Sequence, residues 1–533
     1  MAIIPENGVV SWNRLAGFFI FVAAIFPAAG RSGPICATCH AKETARFLQT
    51  GMGNSLSPPV LLAGGQILHG RSGSTIDVTV RNGRMFHRLS ERGLTAEYPV
   101  AYQIGSGKAG RGYIVQVGDY LIQSPAAWYN PHGWDVAPGF VPSRLLDFDR
   151  VMIETCLFCH AGGARFSEDG RRFVGSTLTA ITCERCHGPS AEHLQHPSAK
   201  NIVNPARLPL PARDSVCEQC HLEGEARILN PGKTWRDYRP GQDLAHTGVI
   251  YVRKQNGQSL QAVSQAEQLV KSRCVRESGG KLWCGTCHNP HSQATDRNRE
   301  VREVCVSCHS RLSGAVHPQG QSECVSCHMP RVAAKDIIHA AITNHRILRV
   351  LGADRTGSEP GEETLAAFRD PPAEFRNRDL GLAELDVGSR HGIPTMSKAG
   401  IQLLESLADE EKNKDAAVLA ALAGANLQKG MLNGLGLLRL AAERQPRDSV
   451  YAFYLGLALD KSNDVAGAEQ QLSHAIELDP SRKEAYIALC TIYGKQGRLR
   501  DIAAAIDRYL KWNPQSISFR LQRPQIGPQK AEP

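Results

Sequence analysis

The chain has 533 residues, of which 42% are hydrophobic, 6% aromatic and 21% charged, with a formal net charge of +9. That length leaves room for two or three domains. Past the first thirty residues, no stretch approaches the roughly 20 apolar residues of a membrane span, which excludes a bundle of transmembrane helices.

Residues 1–30 have the pattern of a cleaved export signal. Arg14 precedes an apolar run from Leu15 to Phe26, and Ala28, Ala29 and Gly30 offer small residues for cleavage. The run is too short to span a bilayer comfortably. The reading places the mature chain in the periplasm or on an extracytoplasmic surface, with membrane contact at most peripheral.

Residues 31–66 hold the first of a series of pentapeptides, Cys36-Ala-Thr-Cys39-His40. Residues 67–142 read as a β-rich segment followed by an aromatic loop. Ile76, Val78 and Val80 alternate with polar residues before Asn82-Gly83, a strong hairpin turn. Tyr113–Val117 and Tyr120–Ile122 flank Gly118-Asp119, a second hairpin turn. Gly105, Gly107 and Gly110 match the spacing of a dinucleotide fingerprint, but a strand-like run follows where that motif requires a helix, so the match is rejected. Residues 124–142 read as a Pro/Gly-rich loop whose Trp128, Tyr129 and Trp134 either pack on a flat cofactor or cover the β-segment. His132 in that loop is a candidate ligand or acid.

From residue 143 to 350 the pentapeptide recurs at Cys156-Leu-Phe-Cys159-His160, Cys183-Glu-Arg-Cys186-His187, Cys217-Glu-Gln-Cys220-His221, Cys284-Gly-Thr-Cys287-His288, Cys305-Val-Ser-Cys308-His309 and Cys324-Val-Ser-Cys327-His328. Cys-x-x-Cys-His is the attachment site of c-type haem. The two thiols form thioethers with the porphyrin, and the adjacent imidazole reaches the iron from the same side. Zinc sites and disulfides also use paired cysteines, but neither requires a histidine after every pair. Seven covalent haems are therefore expected. Only 16 residues separate His288 from Cys305, and 14 separate His309 from Cys324. Segments this short cannot enclose a side-chain core, so haem is expected to act as the interior.

The positive charge follows from the same reading. Each ferric haem with two neutral imidazoles adds about −1, so seven bring the protein to roughly +2, or to roughly −5 when reduced. Surplus arginines then serve as propionate partners, and nucleic acid is not expected. Cys274 and Cys490 lie outside the motifs and read as packed thiols.

Residues 351–396 read as a connector with partial helix. Pro446, Pro480 and Pro514 stand 34 residues apart, the tetratricopeptide period. The middle repeat puts Gly456, Ala468, Leu472 and Ala475 at the packed positions, and the next puts Tyr486, Leu489, Cys490 and Tyr493 there. A helix at 397–409 reads as a capping half-repeat. Residues 397–515 are thus expected to form an α-solenoid that docks a protein or peptide, with 516–533 as a tail. The expected fold class is mainly α with irregular loops: a multihaem cytochrome c domain organised by haem packing, with a β-rich insertion, followed by the solenoid.

Second axial ligands must come from the histidines outside the motifs. His291 follows Pro290, which blocks the helix and turns it away from the iron of His288. His193 and His196 lie three apart, and His193 is the expected ligand. His339 and His345, six apart, point about 120° apart if helical and so serve different irons. His317 stands between two motifs, and His69 precedes the β-segment. These six face seven irons, and the seventh partner is His246, His87, His132, Met52 or none. Two strong axial ligands make a carrier, whereas an open position allows a small molecule to react.

The run Cys183–His193, the Cys284–His291 stretch ending His-Asn-Pro-His, and Cys324–Pro330 followed by His339 and His345 resemble motifs of bacterial multihaem cytochromes c. That group includes hydroxylamine oxidoreductase and its tetrahaem partner cytochrome; exported members with tetratricopeptide tails look most similar. The resemblance implies that His193, His291, His339 and His345 ligate neighbouring haems, with His69 and His317 following less directly, and that porphyrins stack in close pairs. Pentahaem nitrite reductases use a Cys-x-x-Cys-Lys site, which this chain lacks. The expectation is an electron carrier with redox-partner proteins. The alternative is an oxidoreductase acting on a small nitrogen or sulfur compound, with His132, Tyr129 or His246 as proton donor.

Overall fold

The computed structural model describes residues 34–175, 177–253, 260–293, 297–309, 324–349, 364–408, 415–431 and 433–524. The expected signal segment and His317 lie outside the described residues. Two short helices, α1 (Pro34–Ala37) and α2 (Ala41–Phe47), carry the first motif.

A β-meander follows: β1 (Leu56–Ser57), β2 (Gly65–Leu68), β3 (Thr75–Arg81), β4 (Arg84–Glu91), β5 (Leu94–Ile104), β6 (Gly110–Val117), β7 (Tyr120–Tyr129) and β8 (Gly133–Val136). Strands β2 to β8 pair antiparallel in sequence order, and β1 joins at β5. Asn82 and Gly83 both take positive φ (51° and 69°) at the β3–β4 turn, as a twist-matched two-residue hairpin demands. The sheet curls until its ends meet, since the Trp134 indole on β8 donates to the Ala63 carbonyl at 2.9 Å. A Cβ on Gly65 of β2 would lie 2.5 Å from that indole, so only glycine fits.

The aromatic stretch from 124 is a hairpin here, where the sequence suggested a loop. Strand β7 runs through Pro125 because the ladder shifts register opposite Tyr113: Ile114 pairs with Gln123, and Gly112 with Ala127. A bulge is where a strand tolerates a residue without an N–H. Trp128, Tyr129 and Trp134 join the core of the meander with Ile76, Leu89 and Ile122.

The region between motifs holds α3 (Glu154–Phe158), α4 (Glu184–His187), α5 (Ala191–Gln195), α6 (Leu210–His221), β9 (Ala226–Leu229), β10 (Gly248–Arg253), α7 (Gln265–Leu269), α8 (Arg273–Glu277), α9 (Cys284–Cys287), α10 (Arg297–Cys308), α11 (Cys324–His328), β11 (Arg331–Ala333), β12 (Ala341–Thr343) and β13 (Leu365–Ala367). Strand β10 lies between β9 and β13, a small sheet that periodicity did not reveal. Strands β11 and β12 form a hairpin, so His339 and His345 are separated by a strand and not by a helical turn. Cys274 is exposed, contrary to expectation, because α8 buries none of its residues.

The C-terminal part is helical: α12 (Arg376–His391), α13 (Pro394–Ala408), α14 (Ala416–Gln428), α15 (Asn433–Arg444), α16 (Ser449–Lys461), α17 (Val465–Leu478), α18 (Lys483–Lys495), α19 (Leu499–Trp512) and α20 (Ile517–Gln522). The helix α12 makes up about a third of the connector read at 351–396 with partial helix. Glycines on both helices permit close packing: a Cβ on Gly388 of α12 would sit 2.6 Å from the Ser397 amide nitrogen, and one on Gly400 of α13 2.6 Å from that of Leu385. Pro446, Pro480 and Pro514 fall in turns just after helices. Gly456 of α16 packs on Leu472 of α17, both inside a core with Ala468, Ala475 and Tyr486. Cys490 is half-buried against that core.

This helical array is fastened to the meander. Tyr98 donates to Asn513 Oδ1 at 2.7 Å, and Asn513 Nδ2 donates to the Phe148 carbonyl at 2.8 Å. The Gln515 amide makes both backbone hydrogen bonds of Glu97, as a neighbouring strand would. Buried Asp147 accepts from the Ser516 hydroxyl at 2.7 Å and from the Ser518 amide at 2.9 Å. Lys483 pairs with Asp149 at 2.7 Å and Arg171 with Asp479 at 2.6 Å.

Candidate haem-binding site

Most motifs close one turn of helix; at Cys156 the His160 amide donates instead to the Leu157 carbonyl at 3.1 Å. The backbone amides of His40, His187, His288 and His309 donate to the carbonyls of Cys36, Cys183, Cys284 and Cys305 at 2.8, 2.9, 2.9 and 2.9 Å. That i to i+4 geometry brings the first cysteine, the second and the histidine to one face. The fourth motif sits on α6, where Glu218, between its cysteines, is buried and clamped by Arg369 through two contacts of 2.6 Å. Burial pushes the Glu218 carboxyl up, and the arginine pulls it back.

The motifs converge although they are far apart in sequence. Thiols neighbour one another across motifs: Cys36 with Cys183, Cys159 with Cys220, Cys217 with Cys284, and Cys305 with Cys324.

Three motif histidines face a histidine from elsewhere. His40 and His193 have ring centroids 6.4 Å apart with planes 18° from parallel. His187 and His291 stand at 5.8 Å and 19°, and His288 and His345 at 6.2 Å and 26°. These gaps are too wide for ring-on-ring contact. An iron held at about 2 Å from each nitrogen, with about 1.1 Å more to each ring centre, sets the centroids about 6.2 Å apart. The residues present therefore fit an iron between each pair.

The outer nitrogens are oriented as metal-bound imidazoles require. His187 Nδ1 lies 2.7 Å from the Val203 carbonyl, His345 Nδ1 2.8 Å from that of Thr343, and His193 Nδ1 3.0 Å from that of Ser198. A carbonyl at Nδ1 fixes the proton there and leaves Nε2 as the ligand atom. His328 Nδ1 lies 2.5 Å from the Leu348 carbonyl. Burial holds His160, His221 and His291 below the usual imidazole range, aided for His160 by His221 and for His291 by His187. Neutral imidazole is the ligating form.

Other expected ligands are placed differently. His69 is buried in the β2–β3 turn, with Nδ1 2.7 Å from Ser72 Oγ and Nε2 3.2 Å from the Val141 carbonyl. His339 turns its Nε2 to Asp135 Oδ2 at 2.7 Å. Burial raises the Asp135 carboxyl, but this bond and the Val136 amide outweigh it and leave it below the usual range. His87 is fully buried between Tyr113 and Trp134 and bonded to Ser124 at 2.7 Å. His246 is exposed at the end of a 3-10 turn. Two arginines pair with carboxylates of the chain: Arg369 holds Glu218, and Arg378 holds Asp379 and Asp415.

A model of the doubled CXXCH motif matches residues 276–314. The multiheme cytochrome MtrA of Shewanella baltica (strain OS185) is 25% identical over 183 residues, which is 30% of this chain and 54% of that protein. The comparisons support a multihaem c-type cytochrome. The chain spans about half the length of that curated relative. Among solved structures, a crystal structure of MamA is 16% identical with a TM-score of 0.23, covering 25% of this chain and 79% of MamA. The structure titled MamA MSR-1 C2 is 21% identical with a TM-score of 0.23, covering 26% and 75%. Both likenesses are too slight to define the fold.

The doubled motif supports covalently bound haem c. The chain's own contribution is then to hold thiol pairs and set imidazole tautomers. Sequence reasoning did not single out Asp135, which meets His339 across 204 residues of chain; no local pattern marks such a contact. Among the described residues, no helix is long and apolar enough to cross a membrane.

Proposed function

We propose that the protein is an exported electron carrier with seven covalent haems c, one at each Cys-x-x-Cys-His motif. The observation that carries this reading is the set of three cross-motif imidazole pairs, at 5.8, 6.2 and 6.4 Å. Each joins a motif histidine to one from another stretch of chain, so His193, His291 and His345 serve irons held by His40, His187 and His288. Two imidazoles per iron suit one-electron transfer without bond making at the metal. His69, His317 and His339 remain the sequence candidates for the other irons, but His69 and His339 direct Nε2, the ligating nitrogen of the paired imidazoles, to protein oxygens.

The resemblance to hydroxylamine oxidoreductase and tetrahaem cytochromes favours closely spaced haems. The neighbouring thiols of different motifs support the same packing. The C-terminal helix pairs, with prolines 34 residues apart, support a tetratricopeptide solenoid that docks a redox-partner protein. Intact mass of the exported protein tests the count. The expected result is cleaved polypeptide plus seven haems, and fewer refutes it. Low-temperature electron paramagnetic resonance of the ferric protein is expected to show low-spin iron. A substantial high-spin fraction would instead favour catalysis on a small nitrogen or sulfur compound.

A further inference from the structure

One short helix touches two motif sites at once. Helix α7 packs against α6, which carries the fourth motif and ends at His221. The chain just before α7 is pinned there, because the Glu223 amide, two residues past His221, donates to the Val263 carbonyl at 3.2 Å. Further along the helix, Gln268 Oε1 accepts the His345 backbone amide at 2.8 Å, and the His345 ring faces His288 of the fifth motif. The thiols of these two motifs, Cys217 and Cys284, are neighbours. Helix α7 therefore brackets both sites.

The first residue of α7, Gln265, has a side-chain amide that can face only one way. Its Nε2 donates to the Ala262 carbonyl at 2.8 Å, and the flipped amide would set oxygen against oxygen there. The other end, Oε1, is buried, and no other donor among the described residues reaches it. The group that answers it is His221. Burial lowers the His221 imidazole below its usual range, and a hydrogen bond with the Gln265 side chain pulls it partly back.

Other motif histidines meet the backbone instead. His187 lies 2.7 Å from the Val203 carbonyl and His328 lies 2.5 Å from that of Leu348. A backbone carbonyl is the same acceptor whatever residue carries it. At His221 a side chain supplies the acceptor, so the identity of residue 265 sets its strength. An acceptor at one ring nitrogen fixes the proton there, leaves the other nitrogen as ligand and makes the imidazole more basic. A more basic axial ligand favours ferric over ferrous iron and lowers the reduction potential.

We propose that Gln265 is a positioning residue for His221: it holds the imidazole proton on the nitrogen turned away from the iron and sets the reduction potential of the haem at Cys217–His221. The inference rests on the reading of covalent haem at every motif and adds the residue that tunes one of them.

The test is a spectroelectrochemical titration of the full haem-loaded chain at pH 8. Gln265→Leu removes the acceptor at similar volume and is expected to raise the midpoint of about one-seventh of the haem absorbance. Gln265→Glu, nearly isosteric, supplies a stronger acceptor and is expected to lower the midpoint of the same fraction. Opposite signs are the signature, since loosened packing would move both variants the same way. Unchanged midpoints in a fully loaded Gln265→Leu protein, or shifts of one sign in both variants, overturn the proposal. If Gln265→Leu loads haem poorly, Gln265→Glu decides, and a midpoint that does not fall overturns it. Mass mapping of the wild-type peptide that holds Cys217 and Cys220 separates the two levels. A peptide without haem overturns the covalent-haem reading and this inference with it, whereas a haem-bearing peptide with unshifted potentials overturns this inference alone.

Discussion

Replacing His345 by alanine separates an axial ligand from an ordinary partly buried histidine. The ring of His345 stands 6.2 Å from that of His288, so the two imidazoles do not stack. Its Nδ1 lies 2.8 Å from the Thr343 carbonyl. If that bond were its main role, truncation would cost about 1 kcal/mol and leave the spectra unchanged. If an iron lies between the rings, the variant loses one of two axial bonds at one of the seven proposed haems. About one-seventh of the ferric iron should then convert from low to high spin. Low-temperature electron paramagnetic resonance, normalised to total haem, reads that fraction, and added imidazole should restore the low-spin signal. His196→Ala removes an exposed histidine near His193 and should change nothing. A fully loaded His345→Ala protein that stays wholly low-spin would refute the assignment and the distance argument behind it.

Asp147→Ala should loosen the C-terminal helices. It strips a buried acceptor from the Ser516 hydroxyl and from the Ser518 amide and hydroxyl, at about 1–3 kcal/mol for each donor left unpaired. Limited proteolysis after α19 should quicken while haem content holds. Gly400→Val places a Cβ 2.6 Å from the Leu385 nitrogen and 2.7 Å from the Gly381 oxygen, both backbone atoms that cannot move aside. The α12–α13 pair must part, and the urea midpoint should fall by the equivalent of about 1–3 kcal/mol. His87, fully buried, has its pKa lowered by burial from 6.5 to about 3. Because the unfolded chain binds that proton first, stability is full above pH 6.5 and is lost as pH falls towards about 3. His87→Gln should flatten this acid limb in urea titrations of the ferric protein, and an unchanged limb would refute the assignment.

The haem-motif pentapeptides were legible because attachment chemistry demands a contiguous spacing, which no folding event can hide. The Asn82-Gly83 turn was legible for a similar reason: positive φ at two successive positions restricts the residues that fit. The start of β7 was legible at Tyr120–Ile122, but its continuation past Ser124 was missed because Pro125 reads as a loop signal until the bulge opposite Tyr113 accommodates it. The extent of α12 within a connector read only as partly helical was not legible, because Gly381 and Gly388 lower helix propensity, whereas in the fold they let α13 approach. The small β9–β10–β13 sheet escaped because its three strands are short and its last strand is more than a hundred residues from the second.

Local chemistry and turn geometry act over a handful of neighbouring residues, so the order of residues alone marked the Cys-x-x-Cys-His motifs and where the chain would reverse. Which imidazole meets which motif was settled only once distant segments packed together. His193 reaches back to His40, His291 to His187, and His345 to His288. His339 meets Asp135 rather than a motif histidine because the hairpin that carries it packs against the meander. Contacts across tens to hundreds of residues depend on how whole elements bury their apolar faces, and that information is spread over the chain and carried by no single motif.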